Sequence, residues 1–571
     1  MRITLIEHGW GEWWQRGHRW GLSVAGGLMV ALASSEAVFA AETIRIQQGL
    51  FAISIPVEAL EEFAVTGDVP PELRNTLGRL SEDVLTGIRQ RLTSSLDIDV
   101  LAMSQLANSQ VGEDYLTRLG TVVRTNSGQS GALALRAAHI AAAQDPEGLT
   151  NLGLIRHFPT DIRISFQDLR NLNRQAASFF DYKVAALEAI QQQAEQEMAA
   201  ETAVNFDQQP DLRQPGPFSV FSETLTLVDA ERPGLGDTPQ RTFEVDLYLP
   251  QTQLAAPVIV ISHGWGSSRE SFAWLAEHLA SHGFAVAVPQ HIGSDLRFQR
   301  LFLSGVFDED IPPREYLDRP LDVSYTLDEL ERLSGAGTPY EGRFDLDKVG
   351  MIGHSLGGYT TLAIAGAPIN YSRLQQLCIP ERPFRMNLSI YLQCRAAPLP
   401  ATDISLGDDR VDAAIALNPI TSVVQGPSQL EQIQIPTMVA AASVDLLAPP
   451  IQEQIHPFTW LTTEDRYLVA MVPGGHGSSV QFDLAEGEVY GGLAPNTTLG
   501  SDYTRALATA FMQVFVTGDV AYEPLLTAGY ASHLSAEAIE LDMVRSLTPE
   551  QLEAAYGRTP PLPLRPGDDT L

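Results

Sequence analysis

The sequence predicts an α/β fold: a mostly parallel sheet covered on both faces by helices, preceded by a mainly helical N-terminal region. Three observations carry this. Residues 348–361 read KVGMIGHSLGGYTT, in which an apolar strand runs into a serine between Gly353 and Gly357 and then into a helix of small, apolar residues. From residue 257 onward, short apolar runs alternate with helical periods. Before residue 206, apolar residues recur mostly at helical spacing, and strand signals are confined to the start of that stretch.

The elements follow in order. Arg2, Arg16 and Arg19 give a basic start, residues 21–34 (GLSVAGGLMVALAS) an apolar core, and Val38-Phe39-Ala40 the small residues of a cleavage site. This pattern predicts a signal peptide over residues 1–40, cut after Ala40, and so an exported protein. An uncleaved anchor is the competing reading, disfavoured because the apolar run is short of the ~20 residues a bilayer requires. No later stretch is long enough to span. Residues 41–205 form the helical region. Residues 43–56 read as a hairpin or one extended strand, followed by helical periods at 57–66, 71–80, 81–92, 99–108, 115–125, 130–144 and 171–202. Residues 206–217 (FDQQPDLRQPGP) hold three prolines without an apolar pattern and read as a linker.

The second domain spans 218–556. Residues 220–228 and 242–249 read as antiparallel strands; 257–262, 285–289, 349–353, 412–417, 435–442 and 467–473 read as strands separated by helices. Two insertions, 296–318 and about 368–409, interrupt the alternation, and the second reads as a cap. The tail 557–571 (GRTPPLPLRPGDDTL) reads as disordered.

Composition narrows the function. A length of 571 residues favours two domains. A net charge of −33 disfavours nucleic acid and anionic lipid surfaces as partners held by a basic patch. Solubility is the simplest account of that charge. Cys378 and Cys394 are the only cysteines, 16 residues apart. An even count in an exported chain predicts a disulfide.

The chemistry centres on Ser355. A strand, a serine and a helix within a few residues force a sharp turn whose apex is strained, and glycines on either side leave room for the crossing chain. Such a nucleophile elbow lifts the serine hydroxyl above the sheet edge. A serine needs a histidine to take its proton and a carboxylate to orient that histidine. His476 follows the strand YLVAMVP in the glycine-rich loop PGGHGSS and is the predicted base. His456 reads as a packing residue, and His533 lies in a helical stretch. Asp445 follows the strand IPTMVAAASV and lies 31 residues before His476, room for one helix and one strand. Asp403, Asp408, Asp409 and Asp412 lie before or at the start of the preceding strand, on the wrong edge. A tetrahedral oxyanion needs backbone donors. Leu356, after the nucleophile, supplies one; Trp265, in the loop ISHGWGSSRES after the first parallel strand, supplies the other.

The stretches at 262–295 (SHGWGSSRESFAWLAEHLASHGFAVAVPQHIGSD), 319–333 (RPLDVSYTLDELERL) and 353–358 (GHSLGG) resemble α/β-hydrolases of the platelet-activating-factor acetylhydrolase and predicted dienelactone hydrolase group. The resemblance covers about 220–520. It implies the α/β-hydrolase fold and serine ester hydrolysis without metal or other cofactor, on lipid-like or small acyl esters. Residues 42–170 look like a helical domain of unknown function that precedes such hydrolases in some bacteria. The chain departs from the group in two ways. The acetylhydrolases carry the acid after the preceding strand, where this chain has Asn418; the position of Asp445 is that of cutinase-like polyester hydrolases. Dienelactone hydrolases use a cysteine where Ser355 stands. Alternatives are a non-catalytic binding protein on the same scaffold and a hydrolase of amide, thioester or polyester bonds.

Overall fold

The structure, a computed structural model, describes residues 40–559 except 49–50, 237, 380–381, 403 and 482–496. The signal peptide, Asp403 and the tail from residue 560 lie outside the described residues.

The N-terminal region contains strands β1 (Thr43–Gln48), β2 (Phe51–Pro56), β3 (Ser95–Leu96), β4 (Arg124–Thr125), β5 (Leu149–Thr150) and β6 (Ile162–Ser165). Of the two readings of 43–56, a hairpin or one extended strand, the hairpin forms: β1 pairs antiparallel with β2, Ile44 opposite Ile55. The hairpin extends into a four-stranded sheet, β2-β1-β6-β4, in which β6 runs parallel to β1. β6 was not expected, because four residues (IRIS) are too few to display a period. Helices cover this sheet. The helix Val100–Asn108 starts where it does because Asp99 accepts the backbone N–H groups of Leu101 (2.8 Å) and Ala102 (3.0 Å).

The long helix runs from Phe166 to Ala200, five residues earlier than its sequence period indicates. Its second half does not stay with the N-terminal region. Ala186, Ile190 and Ala194 are buried in one core cluster with Ile455, Phe458, Val544 and Leu552. Residues 206–217 also dock instead of spanning free space. Leu212 is fully buried in the main core, the Phe206 ring lies 5.4 Å from Tyr530, and Gly216 N–H donates to Ser281 Oγ at 2.8 Å. A proline-bearing segment has little backbone entropy to lose, so it can pack without helix or strand.

The remaining strands are β7 (Val220–Asp229), β8 (Arg241–Pro250), β9 (Ala256–Ser262), β10 (Ala285–Pro289), β11 (Phe344–His354), β12 (Val411–Leu417), β13 (Thr437–Ala442), β14 (Arg466–Val472) and β15 (Glu540–Val544). They form one sheet in the order β15-β14-β13-β12-β11-β9-β10-β8-β7. β9 to β14 are mutually parallel; β7, β8 and β15 pair antiparallel at the two ends. This is the α/β-hydrolase fold. β15 escapes the sequence reading because ELDMV mixes charges into a five-residue edge strand.

Both faces of the sheet are covered, which is why its central strands are apolar at successive positions. Ile259 and Ile261 pack under Phe272, Leu275 and Leu279, whereas Val258 and Val260 face the opposite side with Val323, Leu327 and Ile364. The order reverses at β9: the chain steps out to β10 and then returns to β11 on the other side. Such a reversal opens a crevice beyond the carboxyl ends of the strands. Ser355 follows β11 and Gly264 follows β9, so both lie at that opening.

Candidate active site

The turn at Ser355 is as sharp as its glycines imply. Ser355 has φ 57° and ψ −116°, a left-handed conformation costly for a residue with a side chain. Its N–H donates to Leu417 O at 2.9 Å. A Cβ on Gly353 would meet Gly357 O at 2.1 Å, and one on Gly357 would meet Ser262 O at 2.0 Å. Any larger residue at either position would push apart the strand–helix crossing that holds the turn. Leu356 opens the helix Leu356–Ile364, so its N–H is one of the first-turn donors with no partner inside the helix.

Asp445 and His476 meet directly. His476 Nδ1 lies 2.8 Å from Asp445 Oδ2, and both side chains are buried. Asp445 Oδ1 accepts the backbone N–H groups of Leu447 (3.0 Å) and Ala448 (2.8 Å). Oδ2 also accepts from Gln454 Nε2 (3.1 Å) and Asn418 Nδ2 (3.3 Å). Five donors converge on one buried carboxyl group, which fixes its orientation toward His476. Ser355 is joined to this pair through its neighbour. The ring of His354 lies 4.8 Å from that of His476, and His354 Nε2 is 2.8 Å from the His476 carbonyl oxygen.

The loop after β9 closes the other side. A Cβ on Gly264 would sit 3.4 Å from Ser355 Cβ, so the loop backbone passes directly beside the serine. His291 N–H donates to His263 Nε2 at 3.0 Å, which leaves His263 Nδ1–H to donate to Gly264 O at 2.8 Å. Fixing that carbonyl turns the Trp265 N–H to the opposite side of the trans peptide. Trp265 packs its indole against the cluster that contains Leu356, and Nε1 donates to Asp310 O at 3.3 Å. Beneath the loop, the fully buried Arg319 donates to the His263 carbonyl and to Ser262 Oγ (3.2 Å), Ser294 Oγ (2.6 Å) and Thr360 Oγ1 (3.1 Å).

Several partners of the predicted residues were given no role from sequence. Asn418 stands after β12 and has φ 46°; it donates to Asp445 and accepts Ser479 Oγ–H at 2.7 Å. Its only sequence signal was its place at a strand end. Gln454 and His354 carried none. The competing aspartates lie elsewhere: Asp412 accepts Val349 N–H (3.0 Å) at the start of β12, and Asp408 pairs with Arg410 (2.6 Å). His456 packs, with Nε2 3.0 Å from Tyr556 Oη, and His533 lies in the helix Ala528–Leu534.

Cys378 and Cys394 are disulfide-bonded, with Cα atoms 5.3 Å apart. The N-terminal region rests on this insertion. Arg118 donates to Leu377 O (3.5 Å) and Ile379 O (3.2 Å), on either side of Cys378, and the Tyr115 ring lies 5.6 Å from Phe384 and 5.5 Å from Tyr391. Asp310 ties three segments: its Oδ2 accepts Val111 N–H (2.9 Å), its Oδ1 pairs with Arg395 Nε (2.8 Å), and its carbonyl takes the Trp265 indole. Among the described residues no group of histidine, cysteine and carboxylate side chains is arranged to hold a metal, and no helix is long and apolar enough to cross a membrane.

Comparison with known families decides the lineage. Residues 258–551, more than half the chain, match the alpha/beta hydrolase family. The chain belongs to that family. Residues 40–165 of this hydrolase match a second description, "Alpha/beta hydrolase of unknown function (DUF1400)". The hydrolase is similar to cutinase est1 of Thermobifida alba, 28% identical over 178 residues that cover 30% of this chain and 48% of the relative. Cutinase 1 of Thermobifida cellulosilytica is 26% identical over 172 residues, 30% of this chain and 53% of the relative. The cutinase of Thermobifida fusca (strain YX) is 26% identical over 172 residues, 30% and 46% respectively. The hydrolase thus spans about half the length of the curated relatives it matches.

The burial of His354 has a consequence for stability. Desolvation first, and the His476 ring second, push its imidazole down to about 3. Unfolded, a histidine takes up its proton near pH ~6.5. The folded state therefore binds fewer protons between about 6.5 and 3, so the contribution of His354 is full above that window and lost as pH falls through it, by up to ~1.4 kcal/mol per pH unit. His354→Gln keeps a donor for the His476 carbonyl without a titrating ring. Denaturant unfolding of both proteins from pH 7.5 to 4.0 should show wild type losing ground to the variant below pH ~6.5. A constant difference would contradict the buried neutral ring.

Proposed function

We propose that this hydrolase is an exported serine carboxylic-ester hydrolase working through Ser355, His476 and Asp445. The observation that carries this reading is the Asp445–His476 hydrogen bond of 2.8 Å beside a strained Ser355 turn at the sheet's carboxyl edge. Asp445 holds the imidazole with Nδ1 protonated, which leaves Nε2 as the base. Ser355 Oγ attacks the ester carbonyl as His476 Nε2 takes its proton. The oxyanion that forms is bound by the N–H groups of Leu356 and Trp265. Collapse transfers the proton to the departing alcohol and leaves an acyl group on Ser355, which water then removes with His476 again as base.

The substrate class is lipid-like or small acyl esters, as the platelet-activating-factor acetylhydrolase resemblance implies. A polyester is the second reading. It is favoured by the similarity to cutinases and by an acid that follows β13, the position that the resemblance to cutinase-like polyester hydrolases implies. p-Nitrophenyl esters of increasing chain length, an anilide and a thioester test the reading, each with and without a serine-directed phosphonate. Ester hydrolysis lost in step with one phosphonate adduct on Ser355 is expected. A protein that turns over no ester is a binding protein on this scaffold, and one that prefers the anilide or thioester moves the reading to that class.

The insertion at 368–409 and the N-terminal helices, on this reading, wall the acyl side of the site. Closing a loop of this size stabilises by about 3 kcal/mol in the chain-entropy model, mostly by holding the cap's own shape. Titration of unreduced, denatured protein should find no free thiol. Reduction, or Arg118→Ala in the contact that clasps the disulfide from the N-terminal side, should lower octanoate hydrolysis several-fold more than acetate hydrolysis. Equal losses on both esters would show that the cap has no role in acyl binding.

A further inference from the structure

Two adjacent buried side chains on one turn hold two different parts of the site. The helical segment after Asp445 contains a single π-turn, Ile451–Ile455. A π-turn adds a residue to the turn and reorients the residues beyond it, and such turns concentrate at functional sites. Here it carries Glu453 and Gln454, both fully buried.

Gln454 faces the triad acid. Its Oε1 accepts Ala442 N–H at the end of β13 (3.2 Å), which sets the orientation of its amide. Its Nε2 then donates to Ala448 O (2.8 Å) and to Asp445 Oδ2 (3.1 Å), the oxygen that also receives His476. Glu453 faces the other way. Its Oε1 accepts from Asn387 Nδ2 and Ser422 Oγ, and its Oε2 from Gln393 Nε2 (3.1 Å), Thr421 N (2.8 Å) and Ser422 N (2.9 Å). Asn387 and Gln393 both lie inside the loop closed by Cys378 and Cys394. Among the described residues every donor that reaches Glu453 is uncharged, so its carboxyl group is held by its number of hydrogen bonds and not by an ion pair. The carboxylate therefore tolerates no change that turns one of its acceptors into a donor.

We propose that Gln454 is a positioning residue for Asp445, and that Glu453 anchors the disulfide-closed cap loop to the same π-turn, so that cap geometry and triad geometry are set together. This rests on the triad reading above. Truncating Gln454 leaves Asp445 Oδ2 one donor short and free to shift toward Asn418, which tilts His476. Replacing Glu453 by glutamine points an amide N–H₂ at donors whichever way the amide lies, and loosens the turn from the cap side.

The test uses the full chain and two readouts: steady-state hydrolysis of p-nitrophenyl acetate, and the rate at which a small methylphosphonate labels Ser355. Gln454→Met keeps length and removes the donor. It should lower kcat and the labelling rate together, about ten- to a hundred-fold, with KM unchanged; the unfolding midpoint should also fall, because Ala442 N–H and Ala448 O lose their partner, so both rates are read well below that midpoint. Glu453→Gln should lower both in the same direction by a smaller factor, and disulfide reduction should add little to it, because both act through one loop. Gln393→Met, which removes one cap donor to Glu453, serves the same comparison if Glu453→Gln does not fold. Wild-type labelling by Gln454→Met overturns the positioning role. A full additional loss on reducing Glu453→Gln, or Gln393→Met where that stands in for it, overturns the coupling. If the wild-type chain labels at another residue or hydrolyses no ester, the triad reading fails first and takes this inference with it.

Discussion

Ser355→Ala should abolish ester turnover, with a loss of roughly 10⁴–10⁶-fold in kcat, because serine and base act as one unit and little of the rate survives without either. The fold should not change. Ser355 sits at φ 57°, and its backbone N–H is held by Leu417 O. Alanine carries the same Cβ into the same left-handed backbone, so the strain of the turn is retained, and the one lost group is a hydroxyl at the rim of the crevice. The unfolding free energy should stay within about 1 kcal/mol of wild type, because the substitution removes one small hydroxyl and leaves the backbone of the turn as it is. The pairing of the two measurements is the test. A folded variant that keeps a tenth of wild-type activity would remove Ser355 from the reaction, and a variant that unfolds would report nothing about chemistry. Ser355→Gly separates strain from function: it should be equally inactive, yet no less stable, because glycine takes positive φ without cost.

Asp445→Asn should cost roughly 10³–10⁴ in kcat, the scale on which a wrong histidine tautomer is felt. The hydrogen bonds around Asp445 say why the tautomer would change. Oδ1 accepts two backbone N–H groups, so the carbonyl of an asparagine must settle there. Its N–H₂ then replaces Oδ2 and faces His476 Nδ1, Gln454 Nε2 and Asn418 Nδ2, all set to donate. The imidazole can relieve this clash only by moving its proton to Nε2, where it can no longer accept from Ser355. Asp412→Asn should cost less than about threefold. Asp412 accepts one backbone N–H at the opposite end of β12, and an asparagine carbonyl accepts it equally well. Steady-state rates for the two variants decide between them; the reverse ranking would move the acid to the strand before.

Much of the candidate site was legible in the sequence because its signals are local. An elbow needs a strand, two glycines and a helix within a dozen residues, and the clash distances at Gly353 and Gly357 are the same requirement seen in space. A parallel sheet buried on both faces needs continuous apolar runs, and Ile259, Val260 and Ile261 display that need without reference to any partner. His476 and Asp445 followed from a rule of strand ends, which is also a local property.

What the sequence could not determine lies in side chains whose role depends on distant neighbours. Gln454 is an ordinary glutamine until β13 and the Asp445 loop close around it, and Asn418 reads as a missing carboxylate until it proves to be a donor to the carboxylate one strand away. The division of the chain has the same character. A proline-bearing stretch and a polar helix carry the composition of a linker and a free-standing element, yet Leu212 and Ile190 are buried in the hydrolase core. Composition registers only how much apolar surface a segment has. Where that surface goes is decided by which partner leaves the smallest gap, and that depends on the whole packed chain.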